Sequence, residues 1–351
     1  MVASSLYIYE FKHEDSHLHN VQIQPLPYEN LVVDFKHAIM GHNPEQVICY
    51  REAHRNFYLF TLFLLSSVIG LITVGFVSQR NHGLRLLLKN EEIKTQKEII
   101  ESSKENLLSS IRYARTVQDA FLPEKVQLKA ILSEYYILYS PKDLVGGDFY
   151  WARQTDNFKI VCLGDCTVHG VPGAFLTITS ISILNKIAVL NLETPAEFLA
   201  VVQKEIFETL MDSPIQDGLD LSVCFFSLDR STLQFASAHQ GLLIIRNGKT
   251  EDIKGDRRGL GKDFNHITEP FQNQLVKLTG RERFCNFSDG ITDQFGGEKT
   301  KKIGKKLWLN WIIETSNETL QNQGQMLEQK FLSWKAENEQ TDDATALLFK
   351  I

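Results

Sequence analysis

Acidic residues stand at the ends of four short apolar runs: Asp148 in VGGDFYW, Asp165 closing FKIVCLGD, Asp289 closing RFCNFSD, and Asp342 with Asp343 opening DDATALLFKI. A carboxylate at the end of a buried strand is poorly solvated and costly unless a cation or hydrogen-bond donors face it. Several such groups meeting at one edge would supply the hard oxygen ligands that suit Mg²⁺ or Mn²⁺. Two such ions can bridge a water, lower its pKa and stabilise charge on a phosphoryl group. The expected chemistry is hydrolysis of a phosphate ester without a covalent intermediate. Each acid taken singly is equally well read as an ordinary turn cap. The neighbouring glycines, Gly146, Gly147, Gly170, Gly173 and Gly290, suit backbone held close to an ion or a plain turn, so pattern alone leaves both readings open. Cys162, Cys166 and His169 lie close together, but no further pair supplies a fourth zinc ligand at the usual spacing. Cys162 is expected in the core of a strand.

The elements that must position these acids follow from the same stretch. Beyond Pro123, apolar runs alternate with turn signals: EYYILYS, FKIVCLG, LDLSVCFFSLD, TLQFASA, GLLIIRNG, QLVKLTG, RFCNFS and ATALLFKI. These read as strands. Tight connections such as Asp229-Arg230-Ser231 and Asn247-Gly248 predict antiparallel pairing. Helical patterns over 173–190, 195–211, 306–315 and 318–336 interrupt them, giving an α+β domain with helices covering sheets, assigned to residues 123–351.

Ahead of that domain, residues 56–79 carry no Asp, Glu, Lys, Arg or His, long enough to cross a hydrocarbon core of about 30 Å as one transmembrane helix. Arg80, Arg85, Lys89 and Lys94 follow it while Arg51 and Arg55 precede it. The positive-inside tendency therefore puts the C-terminal side in the cytoplasm, as a single-pass protein of the inner membrane. Over 80–122, Leu86, Ile93, Ile100, Leu107, Ala114 and Phe121 recur every seven residues, half of a coiled-coil seam. Asn90, Lys97 and Lys104 spoil the other half, so a continuous helix is expected, with a homodimer along the seam as one use of it. Residues 1–55 read as a few short strands, LVVDF among them, and NPEQVICY resembles a strand pair of bacterial membrane-sensor modules, so the segment is taken as a sensor remnant. The net charge of −6 offers no footprint for nucleic acid. Five scattered cysteines do not make a secreted disulfide framework.

At these same residues the chain resembles the bacterial sporulation-phosphatase and stress-regulator branch of the PP2C-like phosphatases. The segments that carry the resemblance are IRYARTVQDAFLP at 111–123, PKDLVGGDFYW at 141–151, GDCTVHGVPGAF at 164–175, DGLDLSVCFFSLD at 217–229, FSDGITDQFGG at 287–297 and DDATALL at 342–348, in the family's order. The resemblance implies a sandwich of two antiparallel sheets flanked by helices, with two Mn²⁺ or Mg²⁺ ions at one end. It implies that Asp148 and Asp165 are the catalytic, metal-bridging acids, that the Cys166 carbonyl adds a ligand, and that Asp289 and either Asp342 or Asp343 hold a metal from the other side. The implied substrate is phosphoserine or phosphothreonine on a regulatory protein, of the anti-sigma-factor antagonist kind. His169 is read as orienting the metal loop rather than as a general acid. Val168 stands where family members carry glycine. If that position has positive φ, a β-branched residue would strain the loop, and the alternative becomes a partner-binding pseudophosphatase or a dimeric signal transducer.

Overall fold

The computed structural model describes residues 44–211, 217–261 and 269–351. Two compact units divide between Ile99 and Ile100. The first belongs to α1 (Pro44–Phe121), a continuous helix of 78 residues whose last turns, from Ile100 on, fall in the second unit. NPEQVICY is not a strand pair: from Pro44 on it forms the first turns of α1, where proline's fixed φ and missing N–H suit the first helical position. LVVDF lies outside the described residues. The apolar stretch of α1 is long enough to cross a membrane. Its large apolar side chains, among them Phe57, Leu62, Leu71, Val74 and Phe76, are exposed. Of the expected seam, Leu86, Ile93, Ile100 and Leu107 are likewise exposed, whereas Ala114 is partly covered.

In the second unit, α2 (Lys125–Ile131) leads into two five-stranded antiparallel sheets. The first is ordered β1 (Glu134–Ser140), β12 (Ala344–Lys350), β9 (Arg283–Phe287), β6 (Leu242–Arg246) and β7 (Lys249–Ile253). The second is ordered β2 (Phe149–Gln154), β3 (Phe158–Cys166), β4 (Leu219–Ser227), β5 (Thr232–Ala238) and β8 (Gln274–Lys277). All the ladder pairs run antiparallel. The β6–β7 hairpin turns on Asn247 and Gly248 with φ 51° and 72°, the positive values a tight two-residue turn requires.

Alternation along the strands builds three apolar layers. Val161 and Leu163 of β3 meet Phe284, Leu347 and Phe349 of the other sheet between the two sheets. Ile160 and Cys162, on the opposite face of β3, pack with α3 (Gly170–Ile187) and α4 (Pro195–Leu210). Cys162 is thus a core residue. The outer face of the first sheet is covered by α6 (Gly304–Glu314) and α7 (Leu320–Lys335) through Trp308, Ile312, Leu327 and Phe331. A short α5 (Asp289–Asp293) follows β9, and a small ribbon, β10 (Phe295–Gly296) with β11 (Lys301–Lys302), closes the list of elements. The architecture is the expected α-β-β-α sandwich. Its α3 also passes as long and apolar enough for a span, but most of it is buried under β3 and β4, as a core helix is.

Candidate metal centre

Antiparallel pairing brings the acids together. β2 begins where β3 ends, with Phe149 opposite Gly164, so Asp148 and Asp165 meet at one end of the second sheet. β9 ends where β12 begins, with Phe287 opposite Ala346, which places Asp289 and the Asp342-Asp343 pair at one end of the first sheet. A seryl hydroxyl joins the two ends: buried Ser288 donates to Asp148 Oδ2 at 2.6 Å and accepts from the Thr345 N–H at 2.9 Å. The Asp289 N–H lies 3.4 Å from Asp165 Oδ2.

Asp148 is 1% exposed, and its Oδ1 has no hydrogen-bond partner among the described residues. Burial, above all, drives its pKa well above the ordinary carboxylate range, against the lowering effect of Ser288. Asp165 is raised as well, by burial first and then by the charges of Asp148, Asp289, Asp220 and Asp342. Asp289 is raised by burial and by Asp342. The pair that opens β12 divides in role. Asp343 is buried, and its two oxygens accept from the backbone N–H groups of Lys142 at 2.7 Å and Gly147 at 2.6 Å. Asp342 is the neighbour whose charge bears on both Asp165 and Asp289.

Two further groups were not singled out from the sequence. Asp220 lies directly opposite Asp165 in the β3–β4 ladder; it satisfies the same criterion as the others, an acid at the end of an apolar strand, and could have been found by it. Ser288 carried no such signal, because a serine before a helix is ordinary capping chemistry.

The loop between β3 and α3 is unstrained at Val168, which is not among the described residues with positive φ; Gly170 takes that conformation, at φ 69°. The expected strain is therefore absent. Only glycine fits at 147 and 173, since a Cβ there would come within 2.4 Å and 2.2 Å of the Val168 carbonyl oxygen. His169 precedes the first turn of α3, with Nδ1 3.0 Å from Asp143 Oδ2 and Nε2 3.0 Å from Lys142 Nζ. Both ring nitrogens thus engage the loop between β1 and β2.

Among the described residues, no three acid, histidine or cysteine side chains close into a ready cage. The donor set nevertheless fits a hard divalent cation. It is all oxygen, it includes a buried carboxylate oxygen with no partner, and each acid with a raised pKa would be returned to its charged form by a cation.

Comparison with known proteins agrees with this geometry. The family model described as Stage II sporulation protein E (SpoIIE) matches residues 156–351. The SiaA PP2C domain of Pseudomonas aeruginosa is 28% identical, with TM-score 0.65, covering 71% of this chain and 98% of that one. The RsbU and RsbW domains of Rv1364c from Mycobacterium tuberculosis share the fold at 14% identity and TM-score 0.51, over 62% of this chain and 59% of theirs. No curated protein matches significantly. With its family match over more than half its length and acids gathered at one end of a PP2C sandwich, the chain belongs to the SpoIIE family of PP2C-like serine/threonine phosphatases.

Proposed function

We propose that the chain removes phosphate from phosphoserine or phosphothreonine on a regulatory protein partner, through a centre of two Mn²⁺ or Mg²⁺ ions held by Asp148, Asp165, the Cys166 carbonyl, Asp289 and Asp342. The observation that carries this reading is the buried, partnerless Oδ1 of Asp148 at the edge where Asp165, Asp289 and Asp342 gather. When bound, the ions supply a hydroxide-like water and charge neutralisation for the phosphoryl group. Asp148 and Asp165 hold the centre from the second sheet, and Ser288 keeps Asp148 Oδ2 fixed. Asp343 serves as a positioning group that ties Gly147 to the start of β12.

The remaining parts of the reading concern place and partner. Residues 56–79 anchor the chain in the inner membrane with residues 123–351 on the cytoplasmic side, as the basic residues after the span favour. The exposed Leu86, Ile93, Ile100 and Leu107 of α1 suit pairing with a second copy. A small anti-sigma-factor antagonist is the partner that the sequence resemblance favours. The pseudophosphatase alternative loses its motive, because Val168 lies outside the left-handed region.

The test is phosphate release by the full chain in detergent from a phosphoserine protein and from p-nitrophenyl phosphate, with Mn²⁺, with chelator, and with Asp165→Asn. Manganese-dependent turnover lost in the variant supports the reading. Turnover that persists in chelator, or in the variant, sinks it.

A further inference from the structure

Gln118 is 1% exposed although it is polar and lies on α1, ahead of the sandwich. Its amide grips one residue from both sides: Nε2 donates to the Gly146 carbonyl at 2.6 Å, and Oε1 accepts from the Gly146 N–H at 3.3 Å. Gly146 and Gly147 are the two residues that precede Asp148. The same loop is held by three other elements. Asp343 accepts from the Gly147 N–H, Thr177 of α3 donates to the Gly147 carbonyl at 2.8 Å, and the Cys166 N–H donates to that carbonyl at 3.3 Å. A Cβ at Gly146 would lie 2.8 Å from Asp343 Oδ1, so the loop is wedged between Gln118 and the start of β12. One turn earlier, Arg115 reaches the Leu144 carbonyl, at 3.4 Å.

Burying a side-chain amide is costly unless its donor and acceptor are paired, and here both are spent on the two peptide groups that flank the Gly146 Cα. Gly146 leads, through Gly147, into the acid whose Oδ1 is buried without a partner among the described residues. The heptad stripe of α1 ends beside this contact, since Ala114 and Phe121 lie four residues before and three after Gln118 and share its side of the helix.

We infer that Gln118 is a positioning residue for the metal centre, through which the last turns of α1 fix the Gly146-Gly147 loop and hence the carboxylate of Asp148. This inference rests on the two-ion reading above. Groups that orient ligands from behind typically change metal affinity by about 10–100-fold when removed.

The test uses the full chain in detergent micelles, with Mn²⁺ binding measured by calorimetry beside phosphate release and thermal melting. Gln118→Met keeps the length and packing of the side chain but neither hydrogen bond. It is expected to weaken Mn²⁺ binding about tenfold, and to raise the Mn²⁺ needed for half-maximal rate by the same factor, with kcat at saturating Mn²⁺ within about twofold of the parent. Mn²⁺ affinity unchanged while the melting temperature falls would make Gln118 a packing residue and overturn the inference. Should Gln118→Met not fold, Gln118→Glu, which keeps the acceptor for the Gly146 N–H and loses the donor, decides by the same criterion. A wild-type chain that binds no Mn²⁺ would remove the metal-centre reading and this inference together; wild-type binding matched by the variant removes this inference alone.

Discussion

Replacing Asp165 with asparagine should stabilise the metal-free protein while destroying its activity. Asp165 and Asp220 stand directly opposite each other in the β3–β4 ladder, which puts their Cβ atoms about 5 Å apart. Two full charges at that distance repel by about 3 kcal/mol at an effective dielectric of ~20. Burial first, and then Asp148, Asp289 and Asp342 beside Asp220, push the Asp165 pKa up, so part of the repulsion is already lost to protonation. Taking about half as recoverable leaves on the order of 1.5 kcal/mol for removing one charge without changing its shape. For a domain of this size that is a rise of about 3–6 °C in melting temperature.

The assay is a thermal melt of wild type and Asp165→Asn in chelator, and again with Mn²⁺. A chain that binds the ion stabilises by about 2.7 kcal/mol at a hundredfold excess over Kd, so with Mn²⁺ the wild type should overtake the variant. The order of melting temperatures inverts between the two conditions. An Asp165→Asn protein that melts below wild type in chelator would refute the repulsion argument. A wild type that gains nothing from Mn²⁺ would refute the centre.

Three other outcomes follow from the same geometry. Val168→Gly should leave the phosphatase rate within about twofold and cost roughly 0.5–1 kcal/mol of stability, because no strain is relieved and the unfolded chain gains freedom; a large gain in rate would restore the disabled-loop reading. Gly147→Ala puts a methyl group within 2.4 Å of the Val168 carbonyl oxygen and should reduce kcat/KM by more than about a hundredfold, by analogy with other misplaced catalytic geometry; full activity would mean the loop is free to shift. Asp148 and Asp165 hold their protons more tightly folded than unfolded, so their contribution to metal-free stability is fully present below the unfolded value of 3.8 and is lost as pH rises through the raised folded values. Melting in chelator should therefore fall with rising pH above that value, and the gain from Mn²⁺ should grow over the same interval.

Much of this protein was legible in the chain itself. The apolar runs fixed eight of the strands, because a half-buried strand must alternate and an interior one must be continuously apolar. The Asn247-Gly248 turn was legible because both residues tolerate the positive φ that they adopt. The acids could be picked out singly, since charge at the end of a buried strand is costly wherever the strand goes. The strand β2, FYWARQ, was hidden because its polar end residues weaken the apolar signal. NPEQVICY misled because a short run with apolar and aromatic residues fits strand or helix until its neighbours decide.

Tertiary structure decided what local pattern has no means to encode. Which acids share one edge depends on antiparallel register across more than a hundred residues, as in the Asp165–Asp289 approach. Which of Asp342 and Asp343 is tied across to the loop ahead of Asp148 was set by the fold, where the N–H groups of Lys142 and Gly147 meet Asp343. The state of Val168 was a matter of φ, and in this loop it is Gly170 that takes the left-handed conformation. Gln118 was invisible for the same reason: nothing in an amide on a polar helix announces that its partner is a glycine 28 residues further along, since residue types set what a group can bond and only the packed chain sets what it meets.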